Sequence, residues 1–260
     1  MTKYEQAVEL WRARDIQSAE DLDKQLDCFR VLFAYNTSRM ENPEVTYDNV
    51  REVFQNDRVI GFSGSPATLT EIGNQKKCYE FLLPKIVAAE PISLSLIQEV
   101  HFMTTMATYD NRLFFGFGER PGVFKKHDFV IGKNEVGSQP EDVETDLSGL
   151  IDVLKDAGRL SDPIKLFKAA TYFHMLFEHT HPFADGNGRV GRTMMNYFLM
   201  INNHPPLIIH NENRIQYYEA LEQFDDAEDI EPLFDFLTQQ FDKTWAKTLK
   251  RWAKSEAVDE

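Results

Sequence analysis

Cysteine is scarce in this chain of 260 residues, with Cys28 and Cys78 the only two. Neither belongs to a CxxC pair, which excludes a disulfide scaffold and leaves a reduced chain as the expectation. Both are expected to be buried and inert. Long apolar runs are missing too, and no stretch approaches the roughly 20 residues a spanning helix needs. Met1-Thr2-Lys3-Tyr4-Glu5-Gln6 has no basic segment leading into an apolar run, so no secretory leader is expected and the expected compartment is the cytoplasm. Positive charge is in deficit, with 28 Lys+Arg against 42 Asp+Glu and a net charge of −14. That balance argues against nucleic acid, whose binding needs phosphates neutralised by Lys and Arg, and against an anionic membrane surface. It leaves room for a small anionic ligand, because a pocket can be basic within an acidic protein.

The composition is otherwise that of a globular protein, 42% hydrophobic and 27% charged, with no repeat or low-complexity block. Helical periodicity dominates. Leu22, Leu26, Phe29 and Phe33 predict a helix over 19–36, and further helices are predicted over 47–54, 69–83, 93–106 and 140–156. Asp162-Pro163 is a helix start, with Asp as N-cap and Pro at the first position, and the stripe Leu166, Phe167, Ala170, Phe173, Phe177 carries that helix to about Thr180. More helices are predicted over 194–201, 214–224 and 232–253. The exception is 113–132, rich in Phe and Gly with a Pro121-Gly122 turn, which reads as a short β-hairpin or extended loop. The fold expected is mainly α, with residues 1–92 as N-terminal helices, 93–222 as the core and 223–260 as a C-terminal helix packed on it.

The chemistry concentrates in His181–Arg192, HPFADGNGRVGR. Gly186 and Gly188 permit a tight turn with uncovered backbone N–H groups, and a helix follows at once. Such a helix start attracts anions through its free N–H groups and its dipole. Arg189 and Arg192, three residues apart, project from one face of that first turn, so the parts together suit a polyphosphate. Asp185 is a normal magnesium ligand beside phosphates, His181 a general base near neutral pH, and Asn187 a donor to a phosphate oxygen. Each residue taken singly also fits a capped helix entry with surface arginines; the combination points to phosphate. A zinc site from His174, His179, His181 and Asp185 would leave both arginines unexplained.

HPFADGNGRVGR resembles the signature of the Fic family, HxFx(D/E)GNGRxxR, at every specified position. The segment PGVFKKHDFVIG is similar to the family's flap hairpin, with Phe124-Lys125 where many members have an aromatic–Arg pair. The resemblance implies a Fic-like helical bundle, with a β-hairpin flap at 113–132 over a motif loop at 181–192. It also implies an enzyme that transfers AMP from ATP to a Ser, Thr or Tyr hydroxyl of a target protein or of itself. In that reading His181 is the base, Asp185 holds Mg²⁺, and Gly186, Asn187, Gly188, Arg189 and Arg192 hold the phosphates. Val123, Phe124 and Lys125 align the target. Tyr217 and Tyr218 approach the base of the nucleotide, although packing accounts for them equally well. Thr37-Ser38-Arg39-Met40-Glu41-Asn42 resembles the family's inhibitory motif, (S/T)xxxE(G/N), which implies that Glu41, with Thr37 and Ser38, blocks Arg192. Two other functions stay open at this point: removal of AMP or transfer of another phosphate-containing group, and a non-catalytic nucleotide-sensing or toxin–antitoxin interaction protein. Whether the chain forms a homo-oligomer is also open.

Overall fold

The computed structural model describes residues 1–129, 137–227 and 229–256. Eleven α-helices follow one another among the described residues, and no strand occurs there. They are α1 (Lys3–Arg12), α2 (Ala19–Gln25), α3 (Asp27–Glu41), α4 (Tyr47–Asn56), α5 (Pro66–Val87), α6 (Leu94–Thr105), α7 (Val143–Ala157), α8 (Pro163–Thr180), α9 (Asn187–Ile201), α10 (Arg214–Ala227) and α11 (Glu231–Glu256). Several starts are written in the sequence. Asp162 accepts from the N–H groups of Ile164 and Lys165 with Pro163 at the first position, and Thr46 and Ser93 cap α4 and α6.

Helix α9 is the axis of the bundle. Twelve of its 15 residues are buried, and α3, α5, α6 and α8 pack around it. A helix buried on all sides places its first turn inside the protein, so Arg189 and Arg192 enter a low-dielectric setting and need partners there. One continuous hydrophobic core runs from Tyr4 on α1 to Trp245 on α11. Tyr4 stacks on Phe167 of α8 at 4.5 Å, and its hydroxyl meets His204 Nδ1 at 2.8 Å.

Three expectations need correction. Residues 19–36 form two helices that break at Leu26, whose backbone leaves the helical region at φ −95° and ψ 7°. The second of them runs on to Glu41. Helix α5 passes through Pro84, because a proline in the last turn forfeits a single N–H bond before the helix stops at Val87. Cys78 is buried, and burial pushes its thiol up to about 12, but Cys28 lies exposed in the first turn of α3.

The segment 113–132 is expected as a short β-hairpin or an extended loop. Its described part, up to Phe129, holds a π turn at Arg112–Gly116 followed by irregular turns. Val130, Ile131 and Gly132 lie outside the described residues. Backbone donors that a ladder would use go to side chains instead. The fully buried Glu119 carboxylate accepts from the Lys126 N–H at 3.0 Å and faces His127 Nδ1 at 2.8 Å, while the Gly122 N–H donates to His101 Nδ1 at 2.7 Å.

Candidate active site

The loop between α8 and α9 is shaped by its own side chains. His181 terminates α8 in the left-handed region, φ 47°, and its N–H closes the last turn on the Phe177 carbonyl at 3.1 Å. Asn187 folds back on Phe183, accepting its N–H at 2.9 Å and donating to its carbonyl at 2.7 Å. Both ends of the amide hold the loop, and the second Nδ2 hydrogen remains for the phosphate contact expected of Asn187. Gly186 has φ 82°, and a Cβ there would lie 2.6 Å from Thr105 Cγ2. Helix α9 starts without a side-chain cap, so its leading N–H groups remain for a ligand.

The two arginines are each held by a carboxylate. Arg192, 2% exposed, donates from Nε to Thr37 Oγ1 at 2.9 Å, and from Nη2 to the Thr37 carbonyl at 3.2 Å and to Glu41 Oε1 at 2.8 Å. Burial pushes the Glu41 carboxyl up, but the Arg192 charge and hydrogen bond outweigh it and leave Glu41 below its ordinary value. The pair lies against the Gly188 Cα, where a Cβ would sit 2.7 Å from Arg192 Nη1 and 2.8 Å from Glu41 Oε1. Ser38 is buried, and its hydroxyl has no hydrogen-bond partner, so Thr37 and Glu41 are the motif residues that touch the guanidinium. Arg189 Nη1 stands 3.5 Å from Glu71 Oε1, and its Nη2 stands 3.7 Å from Asp185 Oδ2. Glu71 in turn accepts from Asn42 Nδ2 at 3.0 Å, directly after Glu41 in the chain.

His181 is the base candidate. Burial first, and then the Lys125 charge, push its imidazole down to about 4, so it is neutral at pH 7. The flap reaches it through backbone, with the Lys125 N–H donating to the Pro182 carbonyl at 2.9 Å. Phe124 packs on Phe183 with ring centroids 5.3 Å apart, and Val123 stands 40% exposed beside them.

The Asp185 side chain is 42% exposed, with Oδ1 accepting from the Gly186 N–H at 2.7 Å. No group of three or more His, Cys, Asp or Glu is placed to hold a metal ion among the described residues. A single open carboxylate suits an ion that keeps most of its waters and is shared with substrate phosphates, which is how Mg²⁺ binds. His174 Nε2 meets the Tyr217 hydroxyl at 2.7 Å.

The two tyrosines separate. Tyr217 is 1% exposed and stacked on His174. Tyr218 is 42% exposed, within reach of the Glu41 charge. Sequence reasoning missed Glu71, Glu178 and His101. Glu178 and His101 are titratable residues inside largely apolar helical stripes, and that misfit marks them, whereas Glu71 lies among the buried polar residues Thr68, Asn74 and Gln75. Burial pushes Glu178, in the turn of α8 before His181, up to about 7.

The central helix of the bundle springs from a Gly-Asn-Gly turn, with a histidine before it and two arginines after. Residues 91–199 match the Fic/DOC family. A protein adenylyltransferase Fic of Nematostella vectensis is 34% identical over 116 residues, which are 44% of this chain and 26% of that protein. One from Aedes aegypti is 39% identical over 89 residues, 34% of this chain and 17% of that protein. The chain therefore spans about a quarter of the length of one of these relatives and about a sixth of the other. Among solved structures, a Fic domain containing signaling protein from Bacteroides thetaiotaomicron superposes with a TM-score of 0.80 at 22% identity, covering 97% of each chain. Fic-1 (residues 134–508) from C. elegans gives 0.75 at 21%, covering 99% of this chain and 72% of the other.

Proposed function

We propose that this chain is a protein adenylyltransferase that moves AMP from ATP to a hydroxyl side chain of a target protein or of itself, restrained by Glu41. The observation that carries the reading is the Arg192–Glu41 pair seated over Gly188, at a helix start built for phosphates. The relatives named protein adenylyltransferase support the reaction class.

In this reading the neutral His181 accepts the proton of the target Ser, Thr or Tyr hydroxyl. A bond forms between that oxygen and the α-phosphorus, the bond from the α-phosphorus to its bridging oxygen breaks, and pyrophosphate leaves. Positioning and charge neutralisation do most of the work in such transfers. The open N–H groups of the first turn of α9 meet phosphate oxygens, Arg189 takes charge developing on the leaving group, and Arg192 takes the γ-phosphate. Asn187 keeps the loop in shape. Asp185 would hold Mg²⁺, which when bound would supply further charge neutralisation on the phosphates. The flap aligns the target segment beside His181. While Glu41 holds Arg192, the γ-phosphate lacks its partner and the α-phosphate sits out of line; a misplacement of about 1 Å is enough to cost on the order of 10²-fold in rate.

The test uses the full chain as wild type, Glu41→Gly and Glu41→Gly/His181→Ala, each with α-labelled or γ-labelled ATP and cell lysate. Label from the α position only, lost in the double variant, supports the proposal. Label from the γ position makes the protein a kinase, and no label despite ATP binding makes it a nucleotide sensor.

A further inference from the structure

We infer that His101 is a positioning residue for this reaction, one imidazole that fixes the flap turn and the motif loop relative to each other. The inference rests on the adenylyl-transfer reading above, while its geometry stands apart from it.

His101 lies on α6, on the buried face formed with Leu96, Ile97, Val100, Thr104 and Thr105, and none of its surface is exposed. Its ring is parallel to Phe183 of the motif loop, with centroids 3.7 Å apart and planes 2° from coplanar. Both ring nitrogens are used. The Gly122 N–H approaches Nδ1 at 2.7 Å, and Nε2 lies 2.9 Å from the Asp185 carbonyl. A backbone N–H can only donate, so Nδ1 must offer its lone pair. Nε2 therefore carries the proton and donates it to the Asp185 carbonyl. One tautomer satisfies both bonds.

The consequence is mechanical. Gly122 is the flap turn, two residues before the Phe124-Lys125 pair expected to align the target. Asp185 is the residue expected to face the metal and the phosphates. His101 ties the two backbones to the same rigid ring, and the ring is braced by Phe183 and by α6. Thr105 Oγ1 donates to the His101 carbonyl at 2.6 Å, and Thr105 Cγ2 backs Gly186. Target side and nucleotide side of the cleft thus share one reference point. Supporting partners of this kind commonly set activity or metal affinity by about 10- to 100-fold.

Two substitutions separate the bonds. Asn carries an acceptor near the position of Nδ1, and Gln carries a donor near that of Nε2. In the full-length Glu41→Gly protein, His101→Asn is expected to keep the Gly122 amide protected from hydrogen exchange. It should speed exchange around Asp185–Gly186 and weaken binding of Mg²⁺ with a non-hydrolysable ATP analogue by about 10-fold. His101→Gln is expected to do the opposite, freeing Gly122 and leaving analogue affinity within about 2-fold of the parent. Nitrogen NMR of the unsubstituted chain should find the ring proton on Nε2. A proton on Nδ1 overturns the inference. So does a pair of variants that lower Tm alike and leave exchange at both segments and analogue affinity unchanged, since that is a packing residue. If the exchange pattern splits as expected but no variant transfers AMP, the transfer reading fails and the positioning role stands.

Discussion

Glu41 Oε1 lies 2.8 Å from Arg192 Nη2, and one helical turn earlier on α3 the Thr37 hydroxyl accepts from the Nε of the same guanidinium at 2.9 Å. The arginine is therefore held from two positions of a single helix. Only one carboxylate oxygen is engaged, and the Glu41 side chain stays 38% exposed, so the ion pair is open to competition from a stronger anion.

Thr37→Val keeps the shape and removes the acceptor. It is expected to raise AMP transfer to a level between wild type and Glu41→Gly. It should also lower stability by about 1–3 kcal/mol, because a buried guanidinium N–H loses its partner. Label incorporation and thermal unfolding together check this; wild-type values in both would remove Thr37 from the restraint.

His181→Ala in the Glu41→Gly background should cut transfer by about 10²- to 10⁴-fold, with ATP affinity little changed. Calorimetric ATP binding run beside the transfer assay separates a lost base from a lost site. A parallel fall in both would mean that His181 shapes the pocket.

The pH profile follows from the base. With His181 pushed down to about 4, the acid limb of kcat/KM for Glu41→Gly should lie well below the 6.5 of an ordinary histidine. Stability has its own pH window. His101 and His174 are held down to about 3, and His181 and His204 to about 4, with burial the first cause in each case. Between pH 6.5 and 4 the unfolded chain binds these protons and the folded chain does not. Stability is thus full above 6.5 and falls as the pH drops, by at most about 1.4 kcal/mol per pH unit for each group. Glu71 and Glu178, raised by burial, oppose this and remain fewer than the histidines. Urea unfolding at pH 7.5, 6 and 5 should show the net loss; a flat series would contradict it.

Gly186→Ala places a Cβ 2.6 Å from Thr105 Cγ2 at a residue with φ 82°. It is expected to cost about 1–3 kcal/mol and to move the loop at Asp185. Thermal unfolding measures the first effect, and the Mg²⁺ concentration needed for half-maximal transfer measures the second. No change in either would mean the turn tolerates a side chain.

Much of this molecule is legible in its sequence, for local reasons. Asp162-Pro163 announces α8, the Phe stripe orients it, and HPFADGNGRVGR marks the loop because its glycines, histidine and arginines are all required within a few residues. The Glu41–Arg192 pair was legible only through resemblance, since 151 positions separate the partners. What stayed hidden depends on tertiary packing. The break at Leu26 and the passage of α5 through Pro84 run against local propensity. Up to Phe129 the segment that starts at Leu113 is irregular, with Glu119 and His101 accepting the backbone N–H groups of Lys126 and Gly122. Glu71 reaches Arg189 only once α5 lies against α9. The hold of Asn187 on Phe183 exists only once the loop closes.

The most direct measurement is the initial rate at which α-labelled ATP marks protein, compared between wild type and Glu41→Gly under the same Mg²⁺ and ATP. The account expects the variant to be faster by on the order of 10²-fold, with no label from the γ position. Equal rates for the two proteins, or label that arrives from γ, would contradict it.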